Sequence, residues 1–107
     1  MSKKELTPEI VTGLWVERTV FVRNELGLHA RPAAKLAQAA RSFEAGIRLT
    51  YDEMTVDAKS ILDILSLAAG RGAEITVRCE GVDADRAMAA MEVFFAEEAD
   101  ANYERSD

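Results

Sequence analysis

Cysteine and histidine are almost absent: the 107 residues hold one of each, Cys79 and His29. A lone cysteine excludes an internal disulfide, and one Cys with one His cannot build an ordinary structural zinc site. Nothing in the pattern calls for a metal or cofactor. Proline occurs only at Pro8 and Pro32, and Trp15 is the single tryptophan. No apolar run approaches the roughly 20 residues of a membrane helix. Met1–Ile10 has no long apolar region behind its lysines, so no secretory signal is expected and the cytoplasm is the expected compartment. Positive charge is in deficit, with 13 Lys plus Arg against 19 Asp plus Glu and a net charge of −6. Free nucleic acid and anionic membrane surfaces are therefore poor partners, and a basic patch on another protein is a better one. The chain has no internal repeat and no low-complexity tract.

What is present is enough for one small core. Apolar residues make up 49% of the chain and charged residues 30%, as in an ordinary globular domain. The informative stretch is Asn24–Ala34, N-E-L-G-L-H-A-R-P-A-A. Proline suits the first turn of a helix, where its missing N–H would be unpaired anyway. His29 is thus expected just before a helix starts, close to unpaired backbone donors that favour an anion. Arg31 adds a guanidinium. Spacing alone also fits a surface or capping histidine, so the rest of the chain has to decide.

Residues 1–15 read as an extension, with a short helix over 8–12 and Trp15 as an anchor on the domain. Val16–Arg23 reads as a strand with Val16, Val20 and Val22 on one face. A helix follows from Ala30 to about Arg41, its apolar stripe being Ala33, Leu36, Ala37 and Ala40. Ile47, Leu49 and Tyr51 alternate in a second strand, Asp52-Glu53 is the turn, and Met54–Asp57 is its partner. This hairpin lacks the usual glycine. Ser60 caps a helix over about 60–69 whose stripe is Ile61, Ile64, Leu67 and Ala68. Leu62 and Leu65 fall off that stripe and are expected to be exposed as a docking surface. Gly70-Arg71-Gly72 is expected to end that helix.

Ile75, Val77 and Cys79 share one face of the next strand, which makes Cys79 a buried small hydrophobe. Asp83 caps a last helix over about 84–97, with Ala84, Ala87, Met88, Met91, Phe94 and Phe95 in its core stripe. The polar tail is expected to fray. The order strand, helix, strand, strand, helix, strand, helix predicts an α+β domain, with a four-stranded, mainly antiparallel sheet carrying three helices on one face.

Three pieces carry a family resemblance: G-L-H-A-R-P-A at 27–33, K-S-I-L at 59–62 and G-R-G-A-E-I-T-V at 70–77. With the element order, they resemble the histidine-containing phosphocarrier (HPr) family of the phosphoenolpyruvate-dependent sugar phosphotransferase system. The resemblance implies the family's open-faced sandwich over residues 16–98, flanked by the extension at 1–15 and the polar tail at 99–107. It implies a monomeric phosphoryl carrier rather than an enzyme. Phospho-enzyme I would load Nδ1 of His29, and an enzyme IIA protein or domain would receive the group. Arg31 would stabilise the bound phosphoryl group. Ser60 matches the serine modified by HPr kinase/phosphorylase in many members, and Ile61, Leu62, Leu65 and Ser66 match the docking helix.

The chemistry agrees with the resemblance. A neutral imidazole is a good nucleophile whose bond to phosphorus stays labile. A helix end and a guanidinium favour the dianion once it is bound. Gly27 leaves room for a close backbone approach. Two departures bear on partner and regulation. Asp63 stands where glycine or lysine is frequent, and an acid three residues after Ser60 weakens the case for kinase recognition. Leu26 replaces a small polar residue and resembles the nitrogen-related branch. The alternatives are therefore a nitrogen-type regulatory relay, or a docking regulator that passes little phosphate. A metal- or nucleotide-binding ferredoxin-like module has neither ligand set nor glycine loop.

Overall fold

The structure, a computed structural model, describes residues 14–105, with side chains through residue 98. The expected helix at 8–12 lies outside the described residues. Seven elements follow in order: β1 (Trp15–Phe21), α1 (Ala30–Arg41), β2 (Gly46–Tyr51), β3 (Met54–Asp57), α2 (Ile61–Ser66), β4 (Glu74–Glu80) and α3 (Ala84–Arg105). The sheet has the order β1-β4-β2-β3, and every neighbouring pair is antiparallel. Helices α1, α2 and α3 cover one face and leave the other open, as the one-sided alternation of the strands predicts.

The register explains the two faces. Val16, Cys79 and Ile47 are cross-strand neighbours, and so are Val77, Leu49 and Val56. Cys79, Ile47, Val77 and Leu49 are fully buried. Burying a side chain of the size of Ile or Leu stabilises by about 1.5–3 kcal/mol over leaving it exposed. Ala33, Leu36, Ala37 and Ala40 of α1 are buried, as are Ala87, Met88, Met91, Phe94 and Phe95 of α3. The alanines of α1 keep that helix close to its neighbours. On the open face Thr19, Thr76, Thr50 and Thr55 form one row across all four strands. Glu17, Arg78, Arg48 and Asp57 form the next row, and Arg78 lies 4.0 Å over the ring of Trp15. β-branched and charged residues keep this uncovered face compatible with water.

The structure corrects several boundaries. β1 ends at Phe21 rather than Arg23, because the N–H and C=O of Val22 pair with Ala73 and Gly72 in the facing loop. α2 ends at Ser66, well before Gly70. Leu67 and Ala68 donate three residues back, and Ala68 then takes φ +53°. Ala68 is consequently exposed, and Ala69 fills the buried place expected for it. Leu65 is half-buried against the core, so only Leu62 of the pair expected to be exposed stands clear, at 78% exposure. α3 continues to Arg105 instead of ending near 97. Alanine, glutamate and arginine in that stretch are good helix formers. Asp52 and Glu53 both have positive φ, +52° and +71°, which makes a type I′ turn without glycine.

Candidate functional site

His29 is the N-cap of α1, with φ −83° and ψ −172°, and its ring makes no capping hydrogen bond. Its carbonyl accepts the N–H of Ala33 at 2.9 Å, the first bond of the helix. Pro32, in the first turn, has no N–H to offer. Among the described residues no acceptor takes the backbone N–H of Ala30 or Arg31. A half-exposed imidazole thus stands beside two free donors and the exposed Arg31. The helix start has no acid in its first turn, and its free donors and partial positive charge favour an anion.

The loop before His29 is braced from within and tied to two neighbouring elements. Gly27 has φ +75° and donates to the Asn24 carbonyl at 2.9 Å. Leu28 donates to the Ala69 carbonyl at 3.0 Å, which stitches the loop to the turn after α2. Leu26 donates to Asn24 Oδ1 at 2.9 Å, an Asx turn. Asn24 Nδ2 donates to Glu98 Oε1 of α3 at 3.0 Å. Asn24 and Glu98 are the buried polar residues of the described chain, at 5% and 6% exposure. Sequence reasoning had no role for either. An asparagine two residues ahead of Leu26 is an Asx-turn signal, but nothing in the sequence links it to residue 98.

The C-terminal end of α2 therefore lies on the His29 side of the molecule. Its N-terminal end lies at the far end of α1. There Arg41 Nε donates to the Lys59 carbonyl at 3.1 Å, and Lys59 Nζ donates to the Phe43 carbonyl at 2.8 Å. Ser60, at that far end, is the N-cap of α2 and accepts the N–H of Asp63 at 3.2 Å. Ile61 and Leu65 are half-buried, whereas Leu62 and Ser66 are exposed. Leu26, on the loop before His29, is 66% exposed. The site residues expected from sequence thus divide: His29 and Arg31 share the start of α1, while Ser60 is separated from them by the length of α2.

Burial pushes the Cys79 thiol up to about 11, with Asp83 adding to the effect. The thiol stays protonated and unreactive near neutral pH. Among the described residues no group of three or more His, Cys, Asp or Glu side chains is placed to hold a metal ion. No described helix is long and apolar enough to cross a membrane.

Known proteins match this geometry. The family model described as "PTS HPr component phosphorylation site" matches residues 16–97. The phosphocarrier protein HPr of Treponema pallidum (strain Nichols) is 45% identical over 80 residues, covering 75% of this chain and 91% of that protein. The phosphocarrier protein HPr of Cupriavidus necator is 41% identical over 76 residues, 71% of this chain and 85% of that one. The crystal structure of a phosphocarrier protein HPr from Bacillus anthracis str. Ames superposes with a TM-score of 0.73 at 44% identity, covering 76% of this chain and 96% of that one. The motif around His29, the βαββαβα order and these matches together make the chain a member of the HPr family of phosphotransferase-system phosphocarriers, a carrier rather than a catalytic enzyme.

Proposed function

We infer that His29 is the phosphoryl acceptor, loaded by phospho-enzyme I and unloaded by an enzyme IIA of the sugar phosphotransferase system. The observation that carries this reading is the free ring of His29 beside the unpaired N–H groups of Ala30 and Arg31. In the transfer, the lone pair of Nδ1 attacks phosphorus while the bond from phosphorus to the donor breaks, and that bonding pair leaves with the donor. Nε2 carries the ring proton in the attacking tautomer. The two N–H groups and the Arg31 guanidinium then stabilise the phosphoryl oxygens. Leu26, exposed on the loop before His29, and Leu62, exposed on α2, are the apolar part of the docking surface for both partners, with Ser66 at its edge. Ile61 and Leu65 support that surface from below. The carrier is proposed to act as a monomer in the cytoplasm.

Incubation with enzyme I and labelled phosphoenolpyruvate tests this. The label is expected on wild type, acid-labile and base-stable, and absent from His29→Ala. Equal labelling of the two proteins would overturn the assignment. Exposed Leu26 also suits a nitrogen-type relay, and a rate comparison with sugar-type and nitrogen-type enzyme I decides between them. Ser60 is the candidate regulatory serine. Its phosphorylation by HPr kinase/phosphorylase would place negative charge at the start of the docking helix, away from His29.

A further inference from the structure

We propose that Asn24 and Glu98 form a positioning pair for transfer at His29, tethering the loop that carries the histidine to α3. The proposal rests on His29 being the acceptor. Three observations carry it. First, these two buried polar residues find each other across 74 positions of sequence, with Nδ2 of Asn24 at 3.0 Å from Oε1 of Glu98. Second, the same Asn24 side chain uses its other end on the loop itself, since Oδ1 accepts the Leu26 N–H at 2.9 Å. Its carbonyl accepts the Gly27 N–H at 2.9 Å, so Asn24 fixes the two residues that lead into Leu28 and His29. Third, no other hydrogen bond joins this loop to α3 among the described residues, whereas Leu28 ties it to the turn after α2.

The amide is suited to this task because it offers a donor and an acceptor at once. One end organises the turn and the other fixes where the turn sits. A carboxyl oxygen is suited to receive it, because it accepts from Nδ2 and leaves Oδ1 for Leu26. Without the tether the loop keeps its Asx turn but can shift as a unit, and His29 shifts with it. Displacement of a reacting group by about 1 Å is enough to slow a transfer by as much as roughly 100-fold. Leu62 lies outside the tethered loop and keeps its part of the docking surface, whereas Leu26 moves with the loop, so the loss is expected chiefly in the kcat of enzyme I for this substrate, with a smaller change in its KM.

The test uses the full chain, enzyme I and labelled phosphoenolpyruvate, at a temperature well below the Tm of each variant. Wild type must first label on His29; failure there removes the acceptor assignment itself and is read separately. Asn24→Asp keeps the acceptor for Leu26 but sets a second carboxylate against Glu98. The kcat of enzyme I for this variant is expected to fall by about tenfold or more, with a smaller change in KM. Combining it with Glu98→Gln reverses donor and acceptor, since the new amide donates to the new carboxylate, and kcat should return to near the wild-type value. A structural role alone would lower Tm and leave kcat at low temperature untouched. If Asn24→Asp does not fold, Glu98→Ala cuts the tether while leaving the Asx turn, with the same expected loss of kcat. Wild-type kcat in the folded single variant, or no recovery in the reversed pair, would overturn the proposal.

Discussion

Gly27 packs so closely on Ala69 that a Cβ added to Gly27 would lie 2.5 Å from the Ala69 carbonyl oxygen and 2.9 Å from the Gly70 Cα. The obstacle is backbone on both counts, and Leu28 holds the same carbonyl at 3.0 Å. The glycine therefore serves two needs at once, a φ of +75° and a contact with no room for a side chain. Gly27→Ala is expected to cost about 2 kcal/mol or more in urea unfolding. It should also slow phosphoryl transfer at temperatures where the variant is fully folded, because relief of the clash moves the loop ahead of His29. Unchanged stability would mean that the loops separate without penalty.

The β2–β3 hairpin carries the opposite situation, a strained turn with no contact that demands its residues. Asp52 and Glu53 both sit at positive φ and both are exposed. Replacing Glu53 by glycine removes a left-handed penalty of about 1 kcal/mol. Glu53→Gly is expected to raise Tm by about 4–8 °C, the shift that such a change produces in a domain of this size. A fall in Tm on calorimetry would show that the entropy of the unfolded glycine outweighs the strain.

These two turns show where the sequence was legible and where it was not. The strands and the long helices announced themselves by period: Ile75, Val77 and Cys79 at every second position, and Met88, Met91 and Phe95 at helical spacing, are all buried as that period predicts. The motif around His29 was equally readable, because proline, glycine and arginine each have a local reason to be there. Events that depend on distant partners were hidden. Val22 leaves the sheet because Gly72 and Ala73 take its backbone groups. Ala68 enters the left-handed region without the glycine that usually marks it, and Leu65 turns toward a core whose shape the helix period does not reveal. The bond between Asn24 and Glu98 is the extreme case, with its partners 74 positions apart.

Asp83 makes folding sensitive to acid. Its two carboxylate oxygens accept the N–H groups of Glu44 at 2.9 Å and Ala45 at 2.8 Å, which fastens the α1–β2 turn to the start of α3. The Glu44 N–H is the main cause that holds this carboxyl below its ordinary value of 3.8, with Ala45 and the Arg86 charge acting the same way. A depressed folded value means that the charged form stabilises the native state. That contribution is complete above the unfolded value and disappears as pH falls below it through the lower folded value. Asp83→Asn keeps one acceptor oxygen of the two. It should be less stable than wild type near neutral pH, and the gap should close in urea titrations carried down to about pH 2. A gap that stays constant with pH would remove the charge from the explanation.

On one short helix Leu62 is exposed and Leu65 packs against the core, so variants there can tell the proposed docking from packing. Leu62 is 78% exposed, so Leu62→Asp should leave stability within about 0.5 kcal/mol of wild type. Leu65 packs against the core, so Leu65→Asp should destabilise by about 1–3 kcal/mol through burial of a charge in apolar surroundings. Both variants should transfer phosphate more slowly. Only for Leu62→Asp will the loss appear in a protein whose unfolding curve matches wild type. Transfer at the wild-type rate in Leu62→Asp would take this helix out of the partner surface.

Asp63 holds its carboxylate against the hydroxyl of Ser60, the proposed regulatory serine. Ser60 Oγ accepts the Asp63 N–H at 3.2 Å and lies 3.3 Å from Asp63 Oδ1, and Oδ2 of the same carboxylate accepts the Asp57 N–H at 3.1 Å. The carboxylate is thus fixed in place beside the hydroxyl. A phosphate on Ser60 would bring about −1.5 to −2 charges against it. Asp63→Asn keeps an acceptor for Asp57 and removes that repulsion. It should therefore be phosphorylated faster than wild type by HPr kinase/phosphorylase with ATP, while labelling of His29 by enzyme I is unchanged. Ser60→Ala, the natural negative control, also removes the N-cap of α2 and should cost about 1 kcal/mol, so its own transfer rate has to be compared at matched fractions folded. Equal kinase rates for wild type and Asp63→Asn would show that the kinase pulls Ser60 out of the cap before the negative charges meet.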